Sequence, residues 1–275
     1  MEEIADRVWV LHYAWFQLNV TVVAGADGAV VVDTHASAQA ARTLVDDVRR
    51  VLGSLPVIGI VNTHEHFDHC FGNATVLEHA GAVPVHAHDV AAARTVEAGE
   101  RVKELYRDDP DDPHREEVLA TDIRPADTTF RSRTTIDLGG RAVELSHHGR
   151  GHTGGDAVAF VPDAAVLLAG DVVEQAAPPA LGEDSYPLEW PATLGRVLAA
   201  APVGTALVPG HGTVVDLDFA RAQQSELTLV ADTIRRLEAD GVPLDRAVAA
   251  GRWPWPEEHV HHAVRRGYAR LGAAR

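Results

Sequence analysis

The chain's 275 residues are 46% hydrophobic and carry a formal charge of -16. A chain this long and this apolar can bury a substantial core, which excludes a disordered polymer. Its acidity opposes nucleic acid as a partner, because such binding relies on Lys and Arg releasing counterions from phosphates, and Lys103 is the only lysine.

The N-terminal stretch Met1-Glu2-Glu3-Ile4 is acidic, with neither the basic start nor the apolar core of a signal peptide. Strands rich in Val are predicted over 8–12, 18–24 and 29–33, with Gly25-Ala26-Asp27-Gly28 as a hairpin-like turn between the last two. Ala40, Leu44, Val48 and Val51 recur at helical spacing and predict a helix over 37–52, which Gly53 ends. The apolar run 57–61 has the near-continuous character of a buried strand. Directly after it comes Thr63-His64-Glu65-His66-Phe67-Asp68-His69, the densest group of metal-ligand residue types in the chain. Imidazole suits zinc and iron, and a carboxylate can bind a metal or orient water on it. The end of a strand is also where open α/β sheets place their sites. Cys70, the single cysteine, excludes an intramolecular disulfide, suits a reducing compartment and reads as packing.

A helix over 72–79, a strand over 83–86 and a helix over 90–106 are predicted next. His86-Ala87-His88-Asp89 imitates ligand spacing but reads as a strand end and helix cap. The acid- and Pro-rich run 108–113 breaks the helix, and 106–125 is either a loop with a helical turn or a short insertion over the site. Strands resume over 128–130, 134–138 and 142–147, with Gly139-Gly140 as a turn, and a hairpin follows over 156–161 and 164–169. A Pro- and Gly-rich loop over 175–190 precedes a helix over 190–201 and a last strand over 205–208. Helices occupy the chain from about 219, interrupted at Trp253-Pro254-Trp255-Pro256. No apolar run approaches the roughly 20 residues of a spanning helix, so no membrane attachment and a cytoplasmic location are expected. This order of elements predicts an α/β protein with two sheets and helices outside them.

Three later strand ends carry ligand types beside glycine: Gly151-His152-Thr153, Gly170-Asp171 and Gly210-His211-Gly212. Together with His64-x-His66-x-Asp68-His69, the series His152, Asp171, His211 resembles the metallo-β-lactamase superfamily over nearly the whole chain. The resemblance implies a four-layer αββα sandwich in a single domain over 1–275. Wall or insertion segments are expected at about 106–125 and 175–190. It further implies that His64, His66 and His152 hold one metal ion, that Asp68, His69 and His211 hold a second, and that Asp171 bridges them. Two divalent ions are implied, zinc first, with iron or manganese as alternatives. A hydroxide between two such ions is a nucleophile at neutral pH, and Asp68 can orient it and help move a proton to the leaving group. Asp33 either holds a ligand histidine from behind or caps the helix that follows.

An aspartate bridge with both metal positions complete resembles glyoxalase II, lactonases and related hydrolases more than the β-lactamase subclasses. The implied reaction is hydrolysis of an ester, lactone or related acyl bond in a small molecule, with thioester or β-lactam hydrolysis as a secondary activity. A persulfide dioxygenase with one iron is a rival reading, and a non-catalytic metal-binding sensor is a third. Tyr186 and Tyr106 either donate to an oxyanion or pack. His147, His148, His259, His261 and His262 read as structural or exposed. Trp253 and Trp255 either form a subunit contact or pack on their own domain, which leaves the oligomeric state open.

Overall fold

The protein is described by a computed structural model over residues 1–273. Residues 274–275, the end of the expected single unit, lie outside the described residues. A seven-stranded sheet runs in chain order through β1 (Glu2–Ala5), β2 (Val8–Tyr13), β3 (Leu18–Ala24), β4 (Ala29–Val32), β5 (Val57–Val61), β6 (Val85–His88) and β7 (Thr128–Phe130). A five-stranded sheet contains β8 (Arg133–Asp137), β9 (Ala142–Ser146), β10 (Val158–Val161), β11 (Val166–Gly170) and β12 (Ala206–Pro209), in the reverse spatial order β12-β11-β10-β9-β8. The helices are α1 (Ala38–Leu52), α2 (Phe67–Cys70), α3 (Asn73–Ala80), α4 (Asp89–Asp108), α5 (Arg115–Leu119), α6 (Trp190–Ala200), α7 (Leu217–Ala239), α8 (Leu244–Ala250) and α9 (His261–Gly272).

Alternation of side chains along the strands divides the apolar residues among three layers. Val8, Val10, Val23, Val30 and Val61 of the first sheet meet Val143, Leu145, Ala159, Val161 and Val208 of the second in the central layer. The opposite face of the first sheet, with Val20, Val22, Val31 and Ile60, packs on Leu44, Val45 and Val48 of α1 and Val76 of α3. Val158, Leu167 and Leu207 carry the outer face of the second sheet onto Leu194 of α6, Leu227 and Ile234 of α7 and Val264 of α9. Each fully buried valine or leucine contributes about 1.5–3 kcal/mol relative to exposure. The result is the four-layer αββα sandwich expected from the sequence, with α1 and α7 as its amphipathic outer helices. Ser37 caps α1 by accepting from the Ala40 amide at 2.9 Å, so the helix-cap alternative for Asp33 fails.

Boundaries depart from expectation in a few places. A first strand, β1, precedes the predicted ones and pairs antiparallel with β2. One helical turn, α2, holds Asp68 and His69. Segment 106–125 contains α5, whose buried Val118 packs with Phe71 and Cys70. Trp253 and Trp255 are half-buried against the core around α7 and α9. Among the described residues no helix is long and apolar enough to cross a membrane.

Strand ends from both sheets meet at one edge of the sandwich. Asn19 at the start of β3 donates its Nδ2 to the carbonyls of Pro209 at 2.9 Å and Gly212 at 2.8 Å. The Ala157 amide donates to the Thr63 carbonyl at 2.8 Å. On the first sheet, the segment after β4 is held against α2: the Thr34 amide donates to the His69 carbonyl at 2.9 Å and the Gly72 amide to the His35 carbonyl at 3.1 Å. This approach is so close that a Cβ on Gly72 would lie 1.8 Å from the Thr34 carbonyl oxygen. We therefore expect Gly72→Ala to lower stability by about 1–3 kcal/mol, read as a reduced midpoint of urea unfolding. A midpoint equal to that of the unsubstituted chain would contradict the close packing.

Candidate metal centre

Seven side chains from five segments converge at that edge. His64, His66, His152 and Asp171 form one group of potential ligands and Asp68, His69 and His211 another, with one donor atom per residue lying within 4.8 Å inside each group. β5 leads into His64 and His66, and α2 carries Asp68 and His69. β11 and β12 end just before Asp171 and Gly210-His211, and His152 lies in the turn preceding β10.

Asp171 lies between the two groups. Its Oδ2 is 3.4 Å from His152 Nε2, 3.8 Å from His64 Nε2 and 3.2 Å from His211 Nε2, while its Oδ1 is 3.3 Å from His69 Nε2. Asp68 faces the second group, with Oδ2 3.4 Å from His211 Nε2 and 3.6 Å from His69 Nε2. Only a glycine at 210 allows the carboxylate to sit there, because a Cβ at that position would lie 1.8 Å from Asp171 Oδ1.

Each of the five imidazoles has one nitrogen bonded to a neighbour outside the group, which leaves the other aimed inward. His64 Nδ1 pairs with Thr63 Oγ1 at 3.1 Å, His66 Nε2 with Asp184 Oδ2 at 3.0 Å and His69 Nδ1 with Asp33 Oδ2 at 2.9 Å. His152 Nδ1 pairs with the Ala180 carbonyl at 3.2 Å and His211 Nδ1 with the Phe16 carbonyl at 2.9 Å. A neutral imidazole has one N–H and one lone pair, so an outer acceptor assigns the lone pair to the inner nitrogen. Inner nitrogens then face one another, His66 Nδ1 and His152 Nε2 at 2.8 Å and His69 Nε2 and His211 Nε2 at 3.2 Å.

This donor set fits divalent cations. His64 Nε2 and Asp171 Oδ1 are buried and find no hydrogen-bond partner among the described residues, a costly arrangement unless a cation satisfies them. The charges show the same demand. Burial pushes the Asp171 carboxyl up, and His211, His69 and His64 more than reverse this, holding it well below the usual carboxylate range. Burial opposes protonation of His211, yet Asp171 and Asp68 raise it to about 9. Burial likewise opposes protonation of His66, which Asp184 raises to about 9. His152 is lowered to about 4 by burial, against the pull of Asp171.

Asp33 accepts three bonds, from the Thr63 amide at 2.8 Å, from Thr63 Oγ1 at 2.9 Å and from His69. It therefore holds the His69 imidazole from behind. It does so in the left-handed region (φ 64°), as does His35 (φ 80°), a strained segment kept by its hydrogen bonds. Tyr186 lies with its ring between the guanidinium groups of Arg150, at 4.5 Å, and Arg266, at 5.2 Å. Tyr106 packs edge-on to Phe67 at 5.9 Å. The other histidines are used elsewhere: His88 caps α4 and stacks on His147 at 4.0 Å, and His148 pairs with Ser146.

Sequence reasoning missed Thr63, Asp184 and the carbonyls of Phe16 and Ala180 as supports of the histidines. It also missed Glu174, a buried carboxyl pushed up to about 8 by burial and by Asp171, which accepts from the Ala180 amide at 2.8 Å. Only Thr63 lies beside its partner in the chain; Asp184 and Phe16 are separated from theirs by 118 and 195 positions. Replacing Asp33 by Asn should weaken divalent-metal binding by about 10–100-fold, measured by competition with a chelating indicator. Unchanged affinity in a folded variant would show that Asp33 serves only the backbone around Thr63.

Residues 13–212 match the metallo-beta-lactamase superfamily, a span that contains all seven residues together with Asp33 and Asp184. The chain is 27% identical to the metallo-beta-lactamase type 2 of Bacillus cereus over 200 residues, 72% of this chain and 68% of that relative. The solved metallo-beta-lactamase from Pontibacter korlensis superposes with a TM-score of 0.65 at 24% identity, covering 82% of this chain and 97% of that one. A stereoselective inverting sec-alkylsulfatase from Pseudomonas sp. superposes with a TM-score of 0.76 at 18% identity, covering 98% of this chain and 49% of that one. These two superpositions speak to fold alone. With its central sheets, its His and Asp group and its matched span in agreement, the chain belongs to the metallo-beta-lactamase superfamily, whose members are metallo-hydrolases.

Proposed function

We propose that this protein hydrolyses an acyl bond in a small neutral or weakly polar ester or lactone, using two divalent metal ions, zinc in the first place. The observation that carries the reading is the Asp171 carboxylate, which approaches histidines of both groups at once. His64, His66 and His152 would hold one ion, Asp68, His69 and His211 the other, and Asp171 would join them. When bound, such ions supply Lewis acidity, which lowers the pKa of water and polarises an acyl oxygen.

The chain's own groups account for the rest of the reaction. Asp68 faces the second group and retains some exposure, so it can accept a proton from the attacking water and return it to the leaving group. Asp33, Thr63 and the Phe16 carbonyl keep the imidazoles in place, so little reorganisation accompanies reaction. Phe16 is 44% exposed and lies edge-on to His211 and Phe67, with Trp15 stacked beside it. This aromatic group favours an apolar acyl portion and, with the acidity of the chain, disfavours nucleic acid. We read residues 1–275 as one unit, with 106–125 and 175–190 as walls of the site.

An amide in a strained ring is open to the same attack. The similarity to the metallo-beta-lactamase type 2 of Bacillus cereus therefore favours β-lactam hydrolysis as a second activity.

In a panel of esters, lactones, thioesters, β-lactams and phosphodiesters, we expect turnover of the acyl compounds that chelation removes and zinc restores. Asp68→Ala should lower kcat by about 100- to 10,000-fold. Turnover indifferent to chelation and to Asp68→Ala would contradict the mechanism. Metal analysis separates the rival chemistry: about two zinc ions per chain are expected from the two ligand groups. A single iron accompanied by sulfite formation from a persulfide would replace hydrolysis with oxygenase chemistry.

A further inference from the structure

His66 differs from the other histidines of its group in where its support comes from. His64 is held by Thr63, its neighbour in the chain, whereas His66 Nε2 donates to Asp184 at 3.0 Å, in the loop between β11 and α6. Its side chain is also the most open of the three, 22% exposed against 1% for His64 and 3% for His152. Asp184 is itself held by Arg101 of α4, whose Nη2 is 3.1 Å from the same Oδ2.

The loop is seated at further points. Arg266 Nε of α9 donates to the Ser185 carbonyl at 2.9 Å, and the Tyr186 amide donates to the Gly151 carbonyl at 2.8 Å, one residue before His152. The Ala180 carbonyl meets His152 Nδ1 at 3.2 Å. A single loop therefore supports two of the three histidines in one group. The supports of His69 and His211, Asp33 and the Phe16 carbonyl, lie outside it.

We propose that Asp184 is a positioning residue for the metal subsite of His64, His66 and His152, and that through it the seating of the 175–190 loop is part of that subsite's affinity. The inference rests on the metal-centre reading above. By accepting a hydrogen bond from the His66 Nε2–H, the carboxylate assigns the lone pair to Nδ1, the atom that faces His152 Nε2 at 2.8 Å. It also makes the ring more basic as a ligand. Without it both tautomers compete, and the partly exposed ring can turn about its own bond. Linkage then works in both directions: whatever factor loop seating adds to metal affinity, metal binding adds to loop seating.

The test is a zinc titration against a chromophoric chelator on the unsubstituted chain, Asp184→Asn and Arg101→Ala, with hydrogen exchange of the loop in the unsubstituted chain with and without zinc. In Asp184→Asn one of the two zinc equivalents should bind about 10–100-fold more weakly while the other keeps its affinity, which also shows that the variant is folded. Arg101→Ala keeps the contact to His66 and should lower affinity less than Asp184→Asn. Zinc should slow amide exchange in the loop of the unsubstituted chain, a readout that needs no variant.

Equal affinity of both equivalents in Asp184→Asn and in the unsubstituted chain would overturn the proposal, as would exchange in the loop that ignores zinc. So would a loss in Arg101→Ala as large as in Asp184→Asn, since anchoring of the loop alone would then explain both. An unsubstituted chain that takes up no zinc would remove the metal-centre reading itself, and this inference with it.

Discussion

A carboxylate taken out of water has to be met by positive charge or by hydrogen-bond donors, and Asp171 is buried at the point where the two sheets come together. It is met by imidazoles that arrive from separate segments: His64 after β5, His69 on α2, His152 before β10 and His211 after β12. Such a meeting requires the strands of both sheets to finish at one edge of the sandwich. The central apolar layer sets that registration, and the bonds from Asn19 to the Pro209 and Gly212 carbonyls fasten it. The absence of a side chain at 210 completes the fit, since the carboxylate occupies the space a Cβ would take.

Orientation is a separate requirement from proximity. An imidazole brought to the right place can still present the wrong nitrogen, and each of the five is prevented from doing so by an acceptor or hydroxyl behind it. These supports come from unlike sources: an adjacent threonine, a strand-end aspartate in a strained conformation, two backbone carbonyls and a loop carboxylate. The outer layer therefore extends the site into the turn before β3 and the loop after β11. In the first of these segments Trp15 and Phe16 pack with Phe67. In the second, Asp184 and Tyr186 line a polar cavity of about 250 Å³ with Glu65, Arg94, Arg101 and Arg266.

Most of the frame was legible in the sequence because it is carried by local patterns. The apolar run of β5, the helical spacing of Leu44 and Val48 and the turn at Gly139-Gly140 each report a structure formed by near neighbours. The seven inward-facing residues were legible because six of them sit directly at strand ends or in the dense run after β5, and their order is that of a superfamily. What stayed hidden depends on contacts distant in the chain. Nothing near Asp184 marks it as a partner of His66, and a backbone carbonyl such as that of Phe16 leaves no trace in residue type. The arginines of the polar cavity come from α4 and α9, so their approach emerges only once the helices are packed. Strand β1 was missed because Glu2-Glu3-Ile4-Ala5 is largely exposed and has little apolar alternation to read.

The central claim is that two cations are held here, joined by one carboxylate. Crystals grown with zinc and measured on both sides of the zinc absorption edge test it most directly. The account predicts two anomalous peaks on either side of the Asp171 carboxylate, one among His64, His66 and His152 and one among Asp68, His69 and His211. Zinc found elsewhere on the chain, with neither group occupied, would contradict it.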